Sequence, residues 1–500
     1  MLINKWDKGL SQVIESSLID TAFGTSYNNI DNKTISLAPL KQDKELATVV
    51  DKYIYKFKEV WLSFNTYRSY VEFQNRLYYT DGINKPKKTS DGVTWYNIGI
   101  EKPIAQISTI SVATPGNLTG TYQWCYTYYN INDGTESQPN EFSPEVTITA
   151  GKATFDLVAS TDPQVTNIRL YRLGGNLVNM VKVIELTNTS VTYTDNIADI
   201  DVSGEALASE TYKPPEVTLT NLTEHNTMLF GSVGPILYYT DIASPNYWSP
   251  FNFIELDATI TGLGTTVNGL LVFTSNKTYI ITGTTPSSFS RYVLSTSQGC
   301  KSAKSIQSIQ TLLAWVSNDG ICASNGSSIE VVSQNYLGKV NLDIKSSAIY
   351  DNEYYLALAD KTIIVDYRET PIFKTIDIVT ESLFYSINED KLYYSKAGKL
   401  NEVYGNTSNR SLLFRSGKIT EGSITNRKNY SNLYIYTTGT MEFKLYLNGI
   451  LRHTYILNDG FNDIDIPSQY RYSYYMEYEI TGINKVLEIE YKVEGRQNGK

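Results

Sequence analysis

The chain is poor in the residues with which enzymes commonly handle protons, thiols and metals. It carries two histidines, His225 and His453, and three cysteines, Cys125, Cys300 and Cys322. A Ser-His-Asp or Cys-His site needs a histidine aligned with a nucleophile. His225 lies in Glu224-His225-Asn226 beside no distinctive nucleophile motif, and reads as a surface or turn histidine. A zinc site needs about four nitrogen or sulfur ligands, which so few scattered His and Cys do not supply. The cysteine count is odd, the spacings are wide and there is no CxxC. A disulfide framework is therefore not expected; reduced thiols and assembly in a reducing compartment are.

Blocks of one charge are also missing. Net charge is −9, and Lys and Arg are dispersed. That argues against a protein that grips nucleic acid by its phosphates, though not against one that DNA slides past. Nothing approaches 18 consecutive apolar residues, so no membrane-spanning helix is expected. The start, Met1-Leu2-Ile3-Asn4-Lys5-Trp6, has no apolar signal-peptide core, so no secretion signal is expected. Gly262-Leu263-Gly264 lacks both the third glycine of a dinucleotide fingerprint and the Gly-Lys-Ser/Thr of a P-loop, and is expected to be a tight turn. Thr89-Ser90-Asp91-Gly92-Val93-Thr94-Trp95 resembles the Asp-box of sialidase propellers but is one residue short and occurs once. It reads as a turn closed by Asp91-Gly92 with Trp95 packing beneath. Carboxylate pairs for glycoside hydrolysis stay open among 52 acidic residues. No catalytic, cofactor-binding or metal-binding residue is assigned, and no cofactor is expected.

What the chain has in abundance is tyrosine, 40 residues of it. Tyrosine suits a half-buried pleated surface, with an apolar ring and a hydroxyl that finds a partner. Four stretches repeat: Leu77-Tyr78-Tyr79-Thr80-Asp81, Leu237-Tyr238-Tyr239-Thr240-Asp241, Glu353-Tyr354-Tyr355-Leu356 and Leu392-Tyr393-Tyr394-Ser395. Such recurrence is what a strand array writes into its sequence. The expected fold is all-β: a β-propeller-like repeat array of about six blades, an inserted immunoglobulin/fibronectin-like sandwich and a C-terminal β-sandwich.

The expected organisation runs as follows. Residues 1–50 form an irregular N-terminal strap that packs on later strands, with an amphipathic piece at Val13 to Ile19. Residues 51–103 and 213–405 form the propeller-like domain, beginning with strands at Val60 to Phe64, Tyr70 to Phe73 and Arg76 to Thr80. Residues 104–212 are the inserted sandwich: roughly seven short strands in about 100 residues fit that pattern, and Tyr122, Trp124, Tyr126 and Tyr128 fall on one face of theirs. Lys213-Pro214-Pro215-Glu216 is a stiff exit linker. Residues 406–500 form the last sandwich, with a hairpin turn at Asn448-Gly449. Most of the tyrosine is expected to be structural, although aromatic richness could also build a sugar-binding platform.

Several segments together resemble one family. They are Arg76-Leu77-Tyr78-Tyr79-Thr80-Asp81-Gly82, Trp95-Tyr96-Asn97-Ile98-Gly99-Ile100-Glu101-Lys102-Pro103, Ser160-Thr161-Asp162-Pro163-Gln164-Val165, Ile168-Arg169-Leu170-Tyr171-Arg172, Leu271 to Gly283, Gly299-Cys300 and Trp315-Val316-Ser317-Asn318-Asp319-Gly320-Ile321. In this order they resemble the tail nozzle or hub proteins of tailed bacteriophages, also called tail tubular or packaged-DNA stabilisation proteins. The insert resembles a fibronectin type III-like module. The resemblance covers roughly residues 1 to 430. It implies a non-enzymatic virion protein, assembled in the host cytoplasm as a homo-oligomeric ring, typically a hexamer. Its implied partners are the portal-adaptor, tail fibre or needle proteins, and the genomic DNA that passes through the lumen. A mildly acidic lumen would repel phosphates within a Debye length of about 8 Å, favouring sliding. The alternatives are a receptor- or carbohydrate-binding adhesin of the tail and a propeller glycosidase.

Overall fold

A computed structural model of the chain describes Leu2–Ile3, Gly24–Asn28, Thr34–Ser36 and residues 69–495 apart from 75, 91–93, 216–217, 335–342, 369–370, 381, 387–389, 397–398, 407–411, 422–424 and 485. The expected strand at Val60 to Phe64, the amphipathic piece at Val13 to Ile19 and the Asp91-Gly92 turn lie outside these residues. The regular structure of the described residues is all strand apart from four short 3-10 turns. It divides into two compact units. One holds residues 66–260 and 283–289; the other holds residues 1–65, 261–282 and 290–500.

Six sheets each have four antiparallel strands. In the first unit the first sheet runs Ser69–Phe73, Arg76–Thr80, Lys87–Thr89, Tyr96–Asn97, and the second runs Thr220–His225, Met228–Val233, Ile236–Tyr239, Phe253–Glu255. Tyr78, Ile98, Leu222, Leu229 and Trp248 bury their side chains in a core that the two share. In the second unit the third sheet begins at Ile260–Thr266, the fourth at Gln307–Ile309, the fifth at Ile344–Tyr350 and the sixth at Leu383–Ser386. Phe273 and Trp315 join the third sheet to the fourth. Val316 and Tyr354 belong to a core that the fourth and fifth share, and Ile364 and Leu392 to one between the fifth and sixth.

The sixth sheet is completed from the other end of the chain. Its strands Leu383–Ser386, Lys391–Lys396 and Lys399–Asn406 are followed in space by Thr34–Ser36, with Thr34 opposite Asn406 and Ser36 opposite Glu402. Leu2–Ile3 and Gly24–Asn28 likewise pair with Val486–Gly495 and Leu412–Ser416. The segment read as irregular thus contains three strands. Two to four ladder pairs suffice when the partner strand is already in place, and strands this short carry too little periodicity to read.

The Leu-Tyr-Tyr motif does not mark one equivalent position. It lies on the second strand of the first, fifth and sixth sheets but on the third strand of the second sheet. The motif reports a half-buried pleated surface, and two different strands of a four-stranded sheet offer one.

The insert is a single hydrogen-bonded sheet rather than two separate ones. Its main path runs Leu177–Thr187, Asn167–Gly174, Ser111–Asn130, Val146–Leu157, Val191–Asp195. Thr121 pairs with Thr147. Trp124 lies three residues beyond Thr121 in one direction, and Phe155 eight beyond Thr147 in the other. At about 3.3 Å per residue a flat sheet would hold the two roughly 36 Å apart. Their ring centroids are 5.4 Å apart. The sheet therefore folds over itself, bending where its register shifts near Ile148 and Gly151. Tyr122, Trp124, Tyr126 and Tyr128 all enter the enclosed core, as their alternation predicts, while Cys125 faces Tyr171 and Met180 on the other side.

The last region has two sheets around a common core. Lys428–Thr437 is central in one, and Met441–Leu447 lies in the other. Met441–Leu447 alternates buried and half-buried residues without exception. Its hairpin turns at Asn448 and Gly449, with φ of 55° and 76°, the two positive values that the favoured two-residue turn requires.

Candidate functional site

The segments singled out around Arg76, Trp95 and Ser160 are far apart in sequence but meet in the first unit. Gln164 ties the last two together: its Nε2 donates to Gly99 O at 2.8 Å and to Asp162 Oδ2 at 2.8 Å. Its Oε1 is buried with no partner among the described residues. Beside it is a small polar cavity of about 190 Å³ bordered by Arg76, Lys88, Asn132 and Asp133.

Lys88, which nothing in the sequence marked out, is the centre of this junction. It lies on the third strand of the first sheet, and its side chain is 4% exposed. Its Nζ donates to Asp133 Oδ2 at 3.1 Å and to Asn246 Oδ1 at 2.9 Å. One ammonium thus joins the first sheet, the insert's Asn132-Asp133-Gly134 turn and the loop between the third and fourth strands of the second sheet. Burial pushes the Lys88 pKa down, against the pull of Asp133. Burial alone would push the Asp133 carboxyl up, but the Lys88 charge and hydrogen bonding with Thr135 hold it below its usual range.

Against this cavity, sharing Tyr96 and Pro163 with it, opens a cleft of about 680 Å³. Trp95 and Tyr128 contribute aromatic wall, and the Ser160-Thr161-Asp162 loop contributes polar wall. Tyr128 is fixed by donation from its hydroxyl to Val158 O at 3.0 Å. Trp95 packs perpendicular to Tyr79, with ring centroids 4.9 Å apart. The loop is anchored from below: Ser160 N–H donates to Asn188 Oδ1 at 2.8 Å and Gln164 N–H to Asp162 Oδ1 at 3.0 Å.

A second charged cluster is sealed inside the insert. Arg172 and Asp195 are both fully buried and pair at 2.8 Å. Arg172 also reaches Asp199 at 2.9 Å and Ile197 O at 2.9 Å, and the Trp124 indole donates to Asp195 at 2.8 Å. With no solvent access to the pair, its chemistry is structural.

The histidines and cysteines occupy other places. His225 is buried, 7% exposed, which corrects its reading as a surface residue. It ends the first strand of the second sheet, where the Asn226-Thr227 turn folds its ring toward Phe230. Burial pushes its pKa below the ordinary 6.5. The unfolded chain then binds more protons than the folded one once pH falls to about 6.5. The stabilisation is present above that value and lost as pH falls through the folded pKa. Urea midpoints measured from about pH 7 to about pH 5 are expected to fall more steeply in the wild type than in His225→Gln; equal slopes would refute this. His453 is exposed, beside Tyr455 in the C-terminal region. Cys125, Cys300 and Cys322 are free and buried. Burial pushes the thiols of Cys300 and Cys322 up to about 12, so they are inert at neutral pH.

Gly262-Leu263-Gly264 is not a tight turn but lies within the strand Ile260–Thr266. A Cβ on Gly262 would overlap Ile306, and one on Gly264 would overlap Leu313. The glycines are there to let the third sheet approach the fourth. Among the described residues, no cluster of three His, Cys, Asp or Glu side chains is placed to hold a metal ion.

No family model matches the chain, and no curated protein matches it. Among solved structures, the computationally designed Ika8 protein is similar over 75% of this chain and 100% of its own, at 11% identity and a TM-score of 0.32. PorZ, a bacterial surface component of the type-IX secretion system of Porphyromonas gingivalis, is similar over 80% of this chain and 54% of its own, at 12% identity and a TM-score of 0.31. BamB from Moraxella catarrhalis is similar over 67% of this chain and 92% of its own, at 10% identity and a TM-score of 0.28.

Proposed function

We propose that this chain is a structural subunit of a bacteriophage tail nozzle, a ring that extends the DNA channel, retains the packaged genome and releases it at infection. The observation that carries this reading is the order of elements along the chain. One four-stranded sheet, an inserted folded sheet, five more four-stranded sheets and a final pair of sheets follow one another. The sequence resemblance, over roughly residues 1 to 430, implies a propeller-bearing subunit with a fibronectin type III-like insert. The six four-stranded sheets are read as blades of one closed propeller. In favour of closure, the sixth takes its outer strand from Thr34–Ser36, a segment that precedes the first sheet in the chain. Closure leaves no open sheet edge to template aggregation.

In this reading the chain forms a homo-oligomeric ring, the channel is the axis of that ring, and the propellers are its wall. The net charge of −9 keeps phosphates from adhering. Native mass spectrometry and electron microscopy of the purified protein test it. The expected particle is a ring of about six times the 56.3 kDa chain, found on the tail axis of virions. A monomer or a peripheral trimer would overturn the proposal.

A further inference from the structure

We infer that the 680 Å³ cleft between the first sheet and the insert binds a neutral saccharide. This goes beyond the nozzle reading and does not depend on ring assembly. The volume falls within the range of about 300–1,000 Å³ usual for small-molecule sites. The chemistry of the walls then selects the ligand. Trp95, Tyr96 and Tyr128 supply aromatic surface, against which the C–H faces of a sugar ring can pack. Asn97, Ser160 and Asp162 supply short polar groups along the same cleft, suited to hydroxyls.

Charge decides among the ligands that aromatic and polar walls could serve. The lining has two cations, Lys87 and Lys102, and two carboxylates, Glu101 and Asp162. Lys87 is already bonded to Asn97 Oδ1 at 2.6 Å, and Glu101 is paired with Lys85. With Lys85 counted, the local balance is a single positive charge, so a polyamine is disfavoured and a multiply charged nucleotide or sulfated glycan has one unmatched cation at most; a neutral polyhydroxyl ligand needs none.

The site is also pre-formed, which limits the entropy lost on binding. Both oxygens of Asp162 accept hydrogen bonds from Gln164, at 3.0 and 2.8 Å, and the Asn188 amide fixes Ser160 by donating to its carbonyl at 3.0 Å. The polar loop is therefore held where a hydroxyl would need it.

The test is an array of immobilised neutral, sialylated and sulfated oligosaccharides probed with the full chain, followed by calorimetric titration of the retained glycan. Binding to neutral glycans is expected. Trp95→Ala is expected to weaken it at least tenfold, equivalent to about 1.4 kcal/mol. Ala159→Trp, which fills the cleft without removing a core group, is expected to abolish it, with circular dichroism unchanged. Retention of no neutral glycan, retention of anionic glycans alone, or wild-type affinity in folded Ala159→Trp would each overturn the inference. So would displacement of the glycan by a proline-rich decapeptide, the other ligand that aromatic clefts commonly take.

Discussion

Arg172→Met is expected to destabilise the first unit by about 3–5 kcal/mol, the cost of breaking a buried ion pair from one side. Methionine matches the apolar stem but leaves the fully buried Asp195 carboxylate facing a hydrocarbon. The remaining donors to Asp195 are the Trp124 indole at 2.8 Å and the Ile197 N–H at 3.2 Å, too little to hold a full charge. Asp199 loses its 2.9 Å contact as well. For a unit of about 200 residues, each kcal/mol lowers the transition temperature by about 2–4 °C. Differential scanning calorimetry is therefore expected to show a drop of roughly 6–20 °C. Adding Asp195→Asn is expected to recover part of the loss, because a neutral amide oxygen still accepts from Trp124 but needs no counter-charge. A double mutant no more stable than Arg172→Met would show that shape, not charge balance, sets the cost. The wild-type pair is itself imperfect, since Arg172 Nε is buried without an acceptor among the described residues.

Trp315→Ala is expected to cost about 3–5 kcal/mol in the second unit, as large aromatic truncations do. Trp315 is fully buried on the second strand of the fourth sheet, 4.8 Å from the Phe273 ring of the third. Its indole donates to Gly299 O at 3.1 Å. Alanine leaves a cavity between two sheets and an unpaired carbonyl. Gly262 and Gly264 already seat the side chains of Ile306 and Leu313 directly against the third sheet's backbone, which leaves little room for collapse to fill the gap. Trp315→Phe keeps most of the ring and loses the hydrogen bond, and is expected to cost about 1–3 kcal/mol. Guanidinium unfolding measures both, with the midpoint falling at unchanged slope. A loss below about 1 kcal/mol for alanine would mean that the third and fourth sheets do not share a load in common.

Strands with strict alternation were readable from the chain, because period-two burial is a local property. Met441–Leu447 and the aromatic row from Tyr122 to Tyr128 came out as expected, and so did the Asn448-Gly449 turn, whose residue types suit positive φ. The candidate site was legible only in pieces. Trp95 to Pro103 and Ser160 to Val165 stood out as separate segments. Nothing in either said that Gln164 reaches Gly99, and nothing marked Lys88, since a buried lysine looks like any other until its desolvation is known. His225 stands beside a turn, as read, but is buried rather than at the surface, for the same reason: its neighbours in sequence are polar turn residues, while a neighbour in space is the Phe230 ring. Gly262 and Gly264 looked like turn residues because the side chains that require their smallness, Leu313 of the next sheet and Ile306 of the turn leading into it, are distant in sequence.

Two histidines, three cysteines and dispersed cations are features of the composition alone. The sequence by itself determined an all-β chain, its turns and the faces of its clearest strands, because those follow from side-chain alternation and backbone dihedral preference. Tertiary structure alone decided which strands pair: that Thr34–Ser36 completes a sheet built some 350 residues later, and that the insert is one sheet folded over. It also decided which charges are buried. Pairing depends on backbone hydrogen bonds, which every residue but proline can offer equally, so selection falls to long-range packing and desolvation, and neither is written in local order.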